Sequence, residues 1–412
     1  MDMITASEAA IKWNVTPRFV QMLCKKGKIV GAVKRGKIWM IPANGDYPYD
    51  REVGAERDMG FAMPKQSEKS MYADITHIYN EPGKADSCTA SLASYPDLQL
   101  VFAAGIAYLR GEIDEACRLS AQILAQSSDA QSRISGGMRM GLCAVWKGDV
   151  ELWRESRRII CEESRKREGY DAIAELALSA VGGTVQDLST FPEWFKIGDF
   201  TQLPPDMMAS AKVLYAKYLY AMIYAVASRQ IDFPGLHGFS SLGLLPYVLE
   251  PMISQAYADR SLISEASMRL LCAIVYHFIG QDERAGRHLD RALEITVPDG
   301  FYGILAEYRR GLGNLLDDRL NQISPQALAR VRNLHKEMRE GWSKINEVVL
   351  KRRIATNLTA REHEVARLAV FGFTNPEIAK KLGISVAAVK QTVRSAMFKG
   401  HVEKRTQLVQ IL

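Results

Sequence analysis

Residues 358–409 decide the fold class, and they read LTAREHEVARLAVFGFTNPEIAKKLGISVAAVKQTVRSAMFKGHVEKRTQLV. Thr359 and Glu362 have the spacing of a capping box, in which each side chain accepts a hydrogen bond from the other residue's backbone N–H. Gly372 and Gly383 each follow an apolar helical pattern, where the end of a helix favours a residue with positive φ. The spacing therefore predicts three short helices in close succession.

The third of these helices, roughly residues 386–399, divides into an apolar and a polar face. Val389, Val393 and Ala396 recur at helical spacing and are expected to face the core. The opposite face, which includes Ser395, carries the hydrogen-bonding and cationic groups that phosphates and base edges require. The residues of this helix and its cap that we predict to contact DNA are Ser385, Ala387, Lys390, Gln391, Arg394 and Lys399.

This segment resembles the DNA-binding domain of the LuxR/FixJ type. The matching residues are Leu358, Thr359, Arg361, Glu362, Glu364, Val365, Gly372, Thr374, Asn375, Glu377, Ile378, Ala379, Leu382, Ile384, Ser385, Val389, Lys390, Lys399 and Arg405. The resemblance implies a helix-turn-helix domain of four helices, with the third in the major groove of DNA. It also implies that a last helix, from about Arg405 to Leu412, helps the domain to dimerise. The chain departs from the usual family residues at Ala388, Thr392, Ala396 and Gly400-His401.

A second compact pattern occupies residues 4–42. Thr5 and Glu8 again have the spacing of a capping box, and a Thr-Pro pair then begins another helical pattern. Strand patterns at Ile29–Val33 and Ile38–Ile41 flank a turn that is rich in cations. This order predicts two helices followed by a β-hairpin with positive charges at its tip.

The pattern resembles the winged helix-turn-helix of excisionase-like and MerR-like proteins, through the motifs ITASEAA, VTPRFVQMLCKKGKI and RGKIWMIP. The resemblance implies that a reading helix and the hairpin contact DNA. The residues expected to do so are Thr16, Arg18, Gln21, Lys25, Lys34, Arg35 and Lys37. A winged helix that docks a protein is the alternative, since a fold alone does not define its role.

The long middle of the chain is almost wholly helical in pattern. A weak motif recurs around Gly111, Gly148 and Gly280, with an aromatic residue before a glycine turn and an amphipathic helix after it. The first two glycines are 37 residues apart, near the period of about 34 residues of tetratricopeptide repeats. The region loosely resembles the tetratricopeptide-like part of MalT-like regulators, which implies stacked helical pairs and a concave binding surface. A scaffold that dimerises and holds the two ends apart is an equal alternative.

Two features of this middle bear on a binding surface. The stretch Ile231–Pro251 is rich in helix breakers and is expected to form a loop over a groove. A set of aromatic residues either lines a pocket or, as is more common, packs in the core. These residues are Trp146, Trp153, Trp194, Phe195, Tyr215, Tyr218, Tyr220 and Tyr224.

Positive charge is gathered in two parts of the chain. Residues 1–50 hold eight Lys/Arg against four Asp/Glu, and residues 351–412 hold twelve against four. Residues 51–350 are acidic, with 33 against 39. A polyanion is therefore a natural partner of both basic parts and a poor partner of the middle.

The sequence offers little support for catalysis. Gly31–Lys37 matches most of a phosphate-binding loop, but Ile38 stands where that loop needs a hydroxyl for magnesium. His363-Glu364 begins a zinc-site motif, but Arg367 stands where the second His ligand belongs. The six cysteines form no CxxC pair, so buried reduced thiols are expected. We expect no enzymatic activity, no catalytic residue, no metal and no cofactor.

The predicted fold class is mainly α, with a helical-repeat body between two small DNA-binding modules. The predicted domains are a winged helix-turn-helix at residues 1–44, a linker at 45–85, a tetratricopeptide-like helical domain at 86–350 and a LuxR-type helix-turn-helix domain at 351–412. No apolar run reaches the ~18 residues of a membrane span, and no targeting signal is recognisable.

These patterns together predict a bacterial, cytoplasmic transcription regulator whose partner is double-stranded DNA. The body is expected to sense a small-molecule or peptide effector or to oligomerise, most simply as a homodimer. Two alternatives stay open. One is an accessory or architectural DNA-binding protein of a mobile element without ligand sensing, and the other is a helical-repeat adaptor whose ends bind proteins.

Overall fold

The computed structural model describes residues 3–12, 20–21, 24–25, 29–36, 38–43, 79–166, 168–227, 239–351 and 358–411. The chain divides into two compact units, Met1–Ser67 and Glu68–Leu412. Most described residues are helical, and a three-stranded sheet lies in the first unit. The predicted mainly-α fold class is therefore confirmed.

The first unit contains a small antiparallel sheet and a helix. Its elements are β1 (Met3–Thr5), α1 (Ala6–Lys12), β2 (Val33–Arg35) and β3 (Ile38–Pro42). β3 is the central strand, with β1 and β2 on either side of it. The predicted capping box at the start of α1 is present, because the backbone N–H of Thr5 donates to Glu8 and that of Glu8 donates to Thr5 Oγ1. Residues 20–21 and 24–25 are helical.

The strand predictions in this unit were partly wrong. The expected strand at Ile29–Val33 begins only at Val33, because the residues before it form a turn in which Ala32 N–H donates to the Ile29 carbonyl. Gly31 has a φ of 80° in that turn, which an extended strand does not tolerate. β1 was not predicted at all, although it pairs with β3.

The second unit begins with a helical body. Its helices are α2 (Ala85–Ser91), α3 (Pro96–Arg110), α4 (Ile113–Gln126), α5 (Ala130–Lys147), α6 (Val150–Arg165), α7 (Asp171–Thr184), α8 (Glu193–Lys196), α9 (Met208–Ala227), α10 (Leu245–Ala258), α11 (Leu262–Phe278), α12 (Asp282–Thr296), α13 (Tyr302–Leu312), α14 (Asn314–Ile323) and α15 (Pro325–Val349). After the body come α16 (Ala360–Val370), α17 (Asn375–Leu382), α18 (Val386–Lys399) and a 3₁₀ segment (Arg405–Ile411).

Successive helices of the body pack against each other, and the pairs with close contacts include α3–α4, α5–α6 and α11–α12. The glycine turns predicted from the recurring motif join these pairs. Gly111, Gly148 and Gly280 all have left-handed backbones, with φ of 77°, 64° and 80°. Only glycine adopts this conformation without steric cost, so these residues allow the chain to reverse within a very short turn.

The long helix α15 crosses the body and contacts α5, α13 and α14. Its closest approach is at Gly341, where an added Cβ would lie 2.0 Å from the carbonyl oxygen of Trp146 on α5. The next residue, Trp342, donates its indole N–H to the carbonyl of Thr184 at 2.9 Å. Gly341 therefore lets two helix backbones meet, and Trp342 fixes α15 relative to the end of α7.

A chain of buried and half-buried polar groups links four helices of the body. The Trp146 indole N–H donates to Tyr108 Oη at 3.2 Å, and that hydroxyl donates to Glu307 at 2.6 Å. Lys217 on α9 pairs with the same carboxylate at 3.2 Å. Burial, together with the negative charge of Glu307, raises the pKa of Tyr108 well above its usual value. Because each group has a partner, the polar atoms are compatible with a packed core.

The aromatic residues singled out in the sequence pack mainly against each other. The ring of Phe195 is fully buried and lies 5.7 Å from that of Tyr215 and 6.0 Å from that of Tyr218. Trp153 and Trp146 are also buried. These contacts favour the core interpretation over a ligand pocket.

The prediction of a loop at Ile231–Pro251 was wrong for the second half of that stretch. Residues 231–238 lie outside the described residues, but 239–244 form a 3₁₀ turn and α10 begins at Leu245. Pro246 stands in the first turn of α10, where its missing N–H costs nothing. Pro251 lies on the exposed side of the same helix.

All six cysteines are free thiols, as expected, but only Cys24, Cys143 and Cys272 are buried. Within the described part of the chain, no helix is both long and apolar enough to cross a lipid bilayer.

We predict that Gly341→Ala destabilises the protein by about 1–3 kcal/mol or more, because the new methyl group meets backbone atoms that cannot rotate away. Gly243→Ala is a matched control, since no atom lies within 4 Å of a Cβ built there. Thermal unfolding of the two variants beside the unaltered protein measures the difference. Equal melting temperatures for both variants would contradict the close approach of α15 to α5.

Candidate nucleic-acid interface

The helices α16, α17 and α18 pack into one small helix-turn-helix domain, which we define as residues 358–411. Its core consists of apolar residues from all three helices and the 3₁₀ segment. The buried members are Val365, Ala366, Leu368, Ala369, Phe371, Ile378, Ala379, Val389, Val393, Ala396, Leu408 and Ile411. The inward face predicted for the third helix is therefore confirmed.

The ends of these helices follow the sequence closely. The predicted capping box of Thr359 and Glu362 is present, and Thr374 forms a second one with Glu377. Ser385 caps α18 by accepting a hydrogen bond from the N–H of Ala388 at 3.1 Å. The two predicted turn glycines at 372 and 383 have φ of 88° and 62°. Together these caps set where each helix begins, and hence how α18 is presented.

Glu362 on α16 also holds α18 in place. Its carboxylate accepts hydrogen bonds from Lys399 Nζ at 2.7 Å, from Ser395 Oγ at 2.5 Å and from the Thr359 N–H at 2.7 Å. Burial raises the pKa of Glu362, but the hydrogen bonds from Lys399, Ser395 and Thr359 outweigh it and lower that pKa to about 2. The charged carboxylate is thus the stable form, and it ties the C-terminal half of α18 to α16.

The exposed face of α18 carries most of the residues predicted to contact DNA. Ser385, Ala387, Lys390, Gln391 and Arg394 are all exposed. The last four of these have the i, i+3, i+4, i+7 spacing that places side chains on one face of a helix. Among the described residues, neither Lys390 nor Arg394 forms an ion pair, so their N–H donors point to solvent. The helix is about 21 Å long at 1.5 Å per residue, which suits a DNA groove.

Two residues at the end of α18 differ from this set. Ser395 was expected to point outward, but it is half-buried and donates to Glu362, because the carboxylate of α16 lies directly beneath it. Lys399, which is among the predicted DNA contacts, pairs with the same carboxylate. The structure thus places Lys399 at the joint between α16 and α18, apart from the row of exposed side chains.

Two arginines stabilise the turns of the domain, and their roles were not predicted from the sequence. Arg361 donates to the carbonyl of Leu382 at 3.0 Å, which caps the last turn of α17. Arg405 donates to Asn375 Oδ1 and to the carbonyl of Phe373, at the turn between α16 and α17. Both arginines matched the family pattern, but only the folded chain shows that they reach backbone carbonyls.

The segment after α18 folds back onto its own domain. Arg405–Ile411 is a 3₁₀ segment, and Leu408 and Ile411 are buried. An added Cβ at Gly400 would lie 2.1 Å from Ile411 Cδ1, so the glycine makes room for this side chain. The adjacent His401 has a φ of 53°. Gly400 therefore has a physical account, since it permits the tight contact with Ile411, whereas the left-handed backbone of His401 is one that a residue with a Cβ adopts at a cost.

In the first unit the structure describes four of the seven predicted DNA contacts. Gln21, Lys25, Lys34 and Arg35 are exposed. Lys34 and Arg35 are neighbours on β2, so their side chains leave opposite faces of the strand. The other three, Thr16, Arg18 and Lys37, lie outside the described residues.

The helix-turn-helix domain also packs on the body within the second unit. The ring of Phe371, just after α16, lies 4.8 Å from the ring of Phe278 and 5.0 Å from that of Tyr224. The Arg367 guanidinium lies 4.5 Å from the centre of the Phe278 ring and donates to the carbonyl of Gly311 at 3.3 Å. Because α16 supplies these contacts, the exposed face of α18 stays open to solvent in this arrangement.

Residues 356–412 match the family model described as bacterial regulatory proteins, luxR family. This segment contains the whole helix-turn-helix domain. The domain is therefore of the LuxR type, which supports a DNA-binding transcription regulator. No curated protein and no solved structure matches the chain. The match does not extend to the first unit or to the body, so the winged helix-turn-helix and the MalT-like middle stay predictions.

We predict that Glu362→Gln lowers the free energy of local unfolding of α18 by about 1.5–3 kcal/mol at neutral pH, since it removes the charged acceptor of Lys399. The folded-state pKa of Glu362 lies below its ordinary value, so its contribution is complete above about pH 4.5 and is lost as the pH falls towards 2. Hydrogen exchange of α18 amides at neutral pH, and thermal unfolding of both proteins at decreasing pH, measure these two effects.

Glu364→Gln is the control on the same helix, because Glu364 forms only a partly exposed pair with Arg361 and such pairs contribute little. If the difference in melting temperature between Glu362→Gln and the unaltered protein persists unchanged down to about pH 2, the carboxylate is not the stabilising group.

Proposed function

We propose that the protein regulates transcription by placing α18 in the major groove of DNA. The observation that carries the proposal is the row of exposed side chains on α18, which includes Lys390, Gln391 and Arg394. Arginine and glutamine form paired hydrogen bonds with guanine and adenine edges, and lysine contacts phosphates and guanine. The caps and turns around α18 present this row on a rigid element, as base readout requires.

The proposal extends to a second DNA contact by the first unit. Its support is the exposure of Gln21, Lys25, Lys34 and Arg35 together with the excess of positive charge in residues 1–50. Two modules on one chain raise the affinity for adjacent sites through their effective concentration, provided that both engage the same DNA. The acidic body would connect the two modules, sense an effector or form a homodimer. This assignment implies a bacterial cytoplasmic protein without enzymatic activity.

We predict that the double variant Lys390→Ala, Arg394→Ala loses most specific DNA binding. Each well-placed contact to a base edge contributes about 1–3 kcal/mol of discrimination, so affinity for a specific fragment should fall by tenfold or more. The fragment is chosen by the full-length protein from genomic DNA, and affinity is measured by a gel shift. The double variant Lys336→Ala, Arg154→Ala is the control, because it removes the same charge from exposed positions of the body.

The outcome that contradicts our assignment of α18 is an unchanged affinity of the Lys390, Arg394 variant while the control also binds normally. A complete lack of DNA binding by the full-length protein at low salt would instead favour the protein-binding adaptor.

We predict that Lys34→Ala with Arg35→Ala flattens the salt dependence of DNA binding. The logarithm of affinity falls with the logarithm of salt by about 0.9 per neutralised phosphate, so losing one or two phosphate contacts should reduce that slope by about 1–2. Binding isotherms at a series of potassium chloride concentrations give the slope. An unaltered slope would indicate that the hairpin of the first unit binds a protein or makes no contact with this DNA.

A further inference from the structure

Five basic side chains from three helices meet where the helix-turn-helix domain packs on the body. His335 and Arg339 lie one turn apart on α15, and His363 and Arg367 lie one turn apart on α16. Arg310 at the end of α13 contacts the second pair directly, because its Nε donates to His363 Nε2 at 2.5 Å. Burial lowers the pKa of Arg310, and Arg339 is close enough for its charge to lower that pKa further. We call these five residues the junction cluster.

Aromatic side chains surround the junction cluster. Arg310 lies 5.7 Å from the centre of the Trp342 ring, and Arg367 lies over Phe278. Tyr220 and Tyr224, one turn apart on α9, are close enough for Arg310 and Arg367 to influence their hydroxyls electrostatically. Such rings attract cations only weakly compared with a negative charge, so they do not neutralise the charges of Arg310 and Arg367.

Three carboxylates near the cluster in the sequence, those of Glu307, Asp317 and Glu364, are engaged elsewhere. Glu307 accepts from Tyr108 and pairs with Lys217. Asp317 pairs with Arg309 and Arg332, and Glu364 pairs with Arg361. Within the described residues, no carboxylate forms an ion pair with Arg310 or Arg367. The junction therefore brings like charges together, which is unfavourable unless an anion compensates them.

Two guanidinium groups of the cluster also have buried donors without acceptors. Arg310 Nη2 and Arg367 Nε are shielded from solvent and have no hydrogen-bond partner in the described structure. Arg367 as a whole is only 9% exposed. A buried donor that lacks an acceptor costs free energy, and guanidinium cannot escape this cost by losing its proton. Arg310, Arg339 and His363 stay partly accessible, so the cluster is open to a small solute.

The protonation state of His363 is consistent with the excess of positive charge in the junction cluster. Burial first, and then the charges of Arg310, Arg367 and Arg339, hold its pKa well below the usual value. The imidazole is therefore neutral at physiological pH, with Nε2 accepting from Arg310 and Nδ1 carrying the proton.

We propose that the junction cluster binds a small anion with a phosphate or carboxylate group, held by Arg310 from the body and by Arg367 from the helix-turn-helix domain. Planar guanidinium groups match the oxygens of both anions. Because its two main ligands belong to different domains, the anion joins the domains and stabilises their contact. The inference deepens the proposed function, since it gives the sensing body a ligand class and places the ligand against the DNA-binding domain.

The test uses the full-length protein and inorganic phosphate, with citrate as a carboxylate arm, at an ionic strength held constant with potassium chloride. Calorimetric titration should show saturable binding, and the melting temperature should rise with the concentration of the bound anion. Arg310→Gln and Arg367→Gln should each weaken binding by about tenfold or more, as expected for loss of a charge-assisted bidentate contact. Lys336→Gln is the matched control, because Lys336 follows His335 on α15 but is exposed; it should bind like the unaltered protein.

A second measurement does not depend on the folding of the variants. An arginine-directed reagent, mapped by mass spectrometry on the unaltered protein, should modify Arg310, the more accessible of the two ligands, more slowly when phosphate or citrate is present. The exposed Arg154 should react at the same rate in both conditions. Preference for one of the two anions identifies the group that the site takes.

Three results would overturn the proposal: no saturable binding of either anion, an equal response in both Gln variants and the control, or protection of other arginines only. These results are independent of DNA binding. A chain that binds phosphate at the junction but no DNA would remove the proposed function and leave the anion site in place.

Discussion

The close approach of α15 to α5 at Gly341 is the constraint on which the second unit depends. Because Gly341 has no side chain, the backbone of α15 packs directly against the Trp146 carbonyl. The long helix can therefore cross the body from α14 to the end of α7. Trp342, one residue further, then reaches Thr184. The same helix carries His335 and Arg339, which lie close enough to His363 of the helix-turn-helix domain to lower its pKa beyond the effect of burial. The place of that domain thus follows from a contact deep inside the body.

Inside the helix-turn-helix domain, the hydrogen bonds of Glu362 have a comparable role. One carboxylate begins α16 through the capping box and holds α18 through Ser395 and Lys399. The exposed row on α18 is therefore oriented by a group that does not itself face DNA. This separation leaves Lys390, Gln391 and Arg394 free for recognition, while Lys399 contributes to the geometry of the domain.

The helix-turn-helix domain was the part best predicted from the sequence, because its helix ends are determined by residues close to them in the chain. Caps such as Thr359 and Ser385, and glycines such as Gly383, act over a few residues, and the structure has them as expected. The partners of Arg361 and the inward turn of Ser395 depend on how helices pack, which spacing alone does not reveal. Strand β1 was missed for a similar reason, since three residues acquire strand character only through pairing with β3. The junction cluster could not be foreseen either, because its members are separated by up to 57 positions, from Arg310 to Arg367.

The helix α16 has a consequence for how this protein can evolve. Glu362 accepts a hydrogen bond from α18 inside the domain, whereas the next residue, His363, accepts one from Arg310 of the body. Few positions of α16 are left to vary freely, and the helix must satisfy two neighbours at once. Recombination with another LuxR-type domain would preserve DNA reading but lose the fit to the body, unless the incoming helix carried His and Arg one turn apart. Body and helix-turn-helix domain are therefore expected to diverge together, as a matched pair.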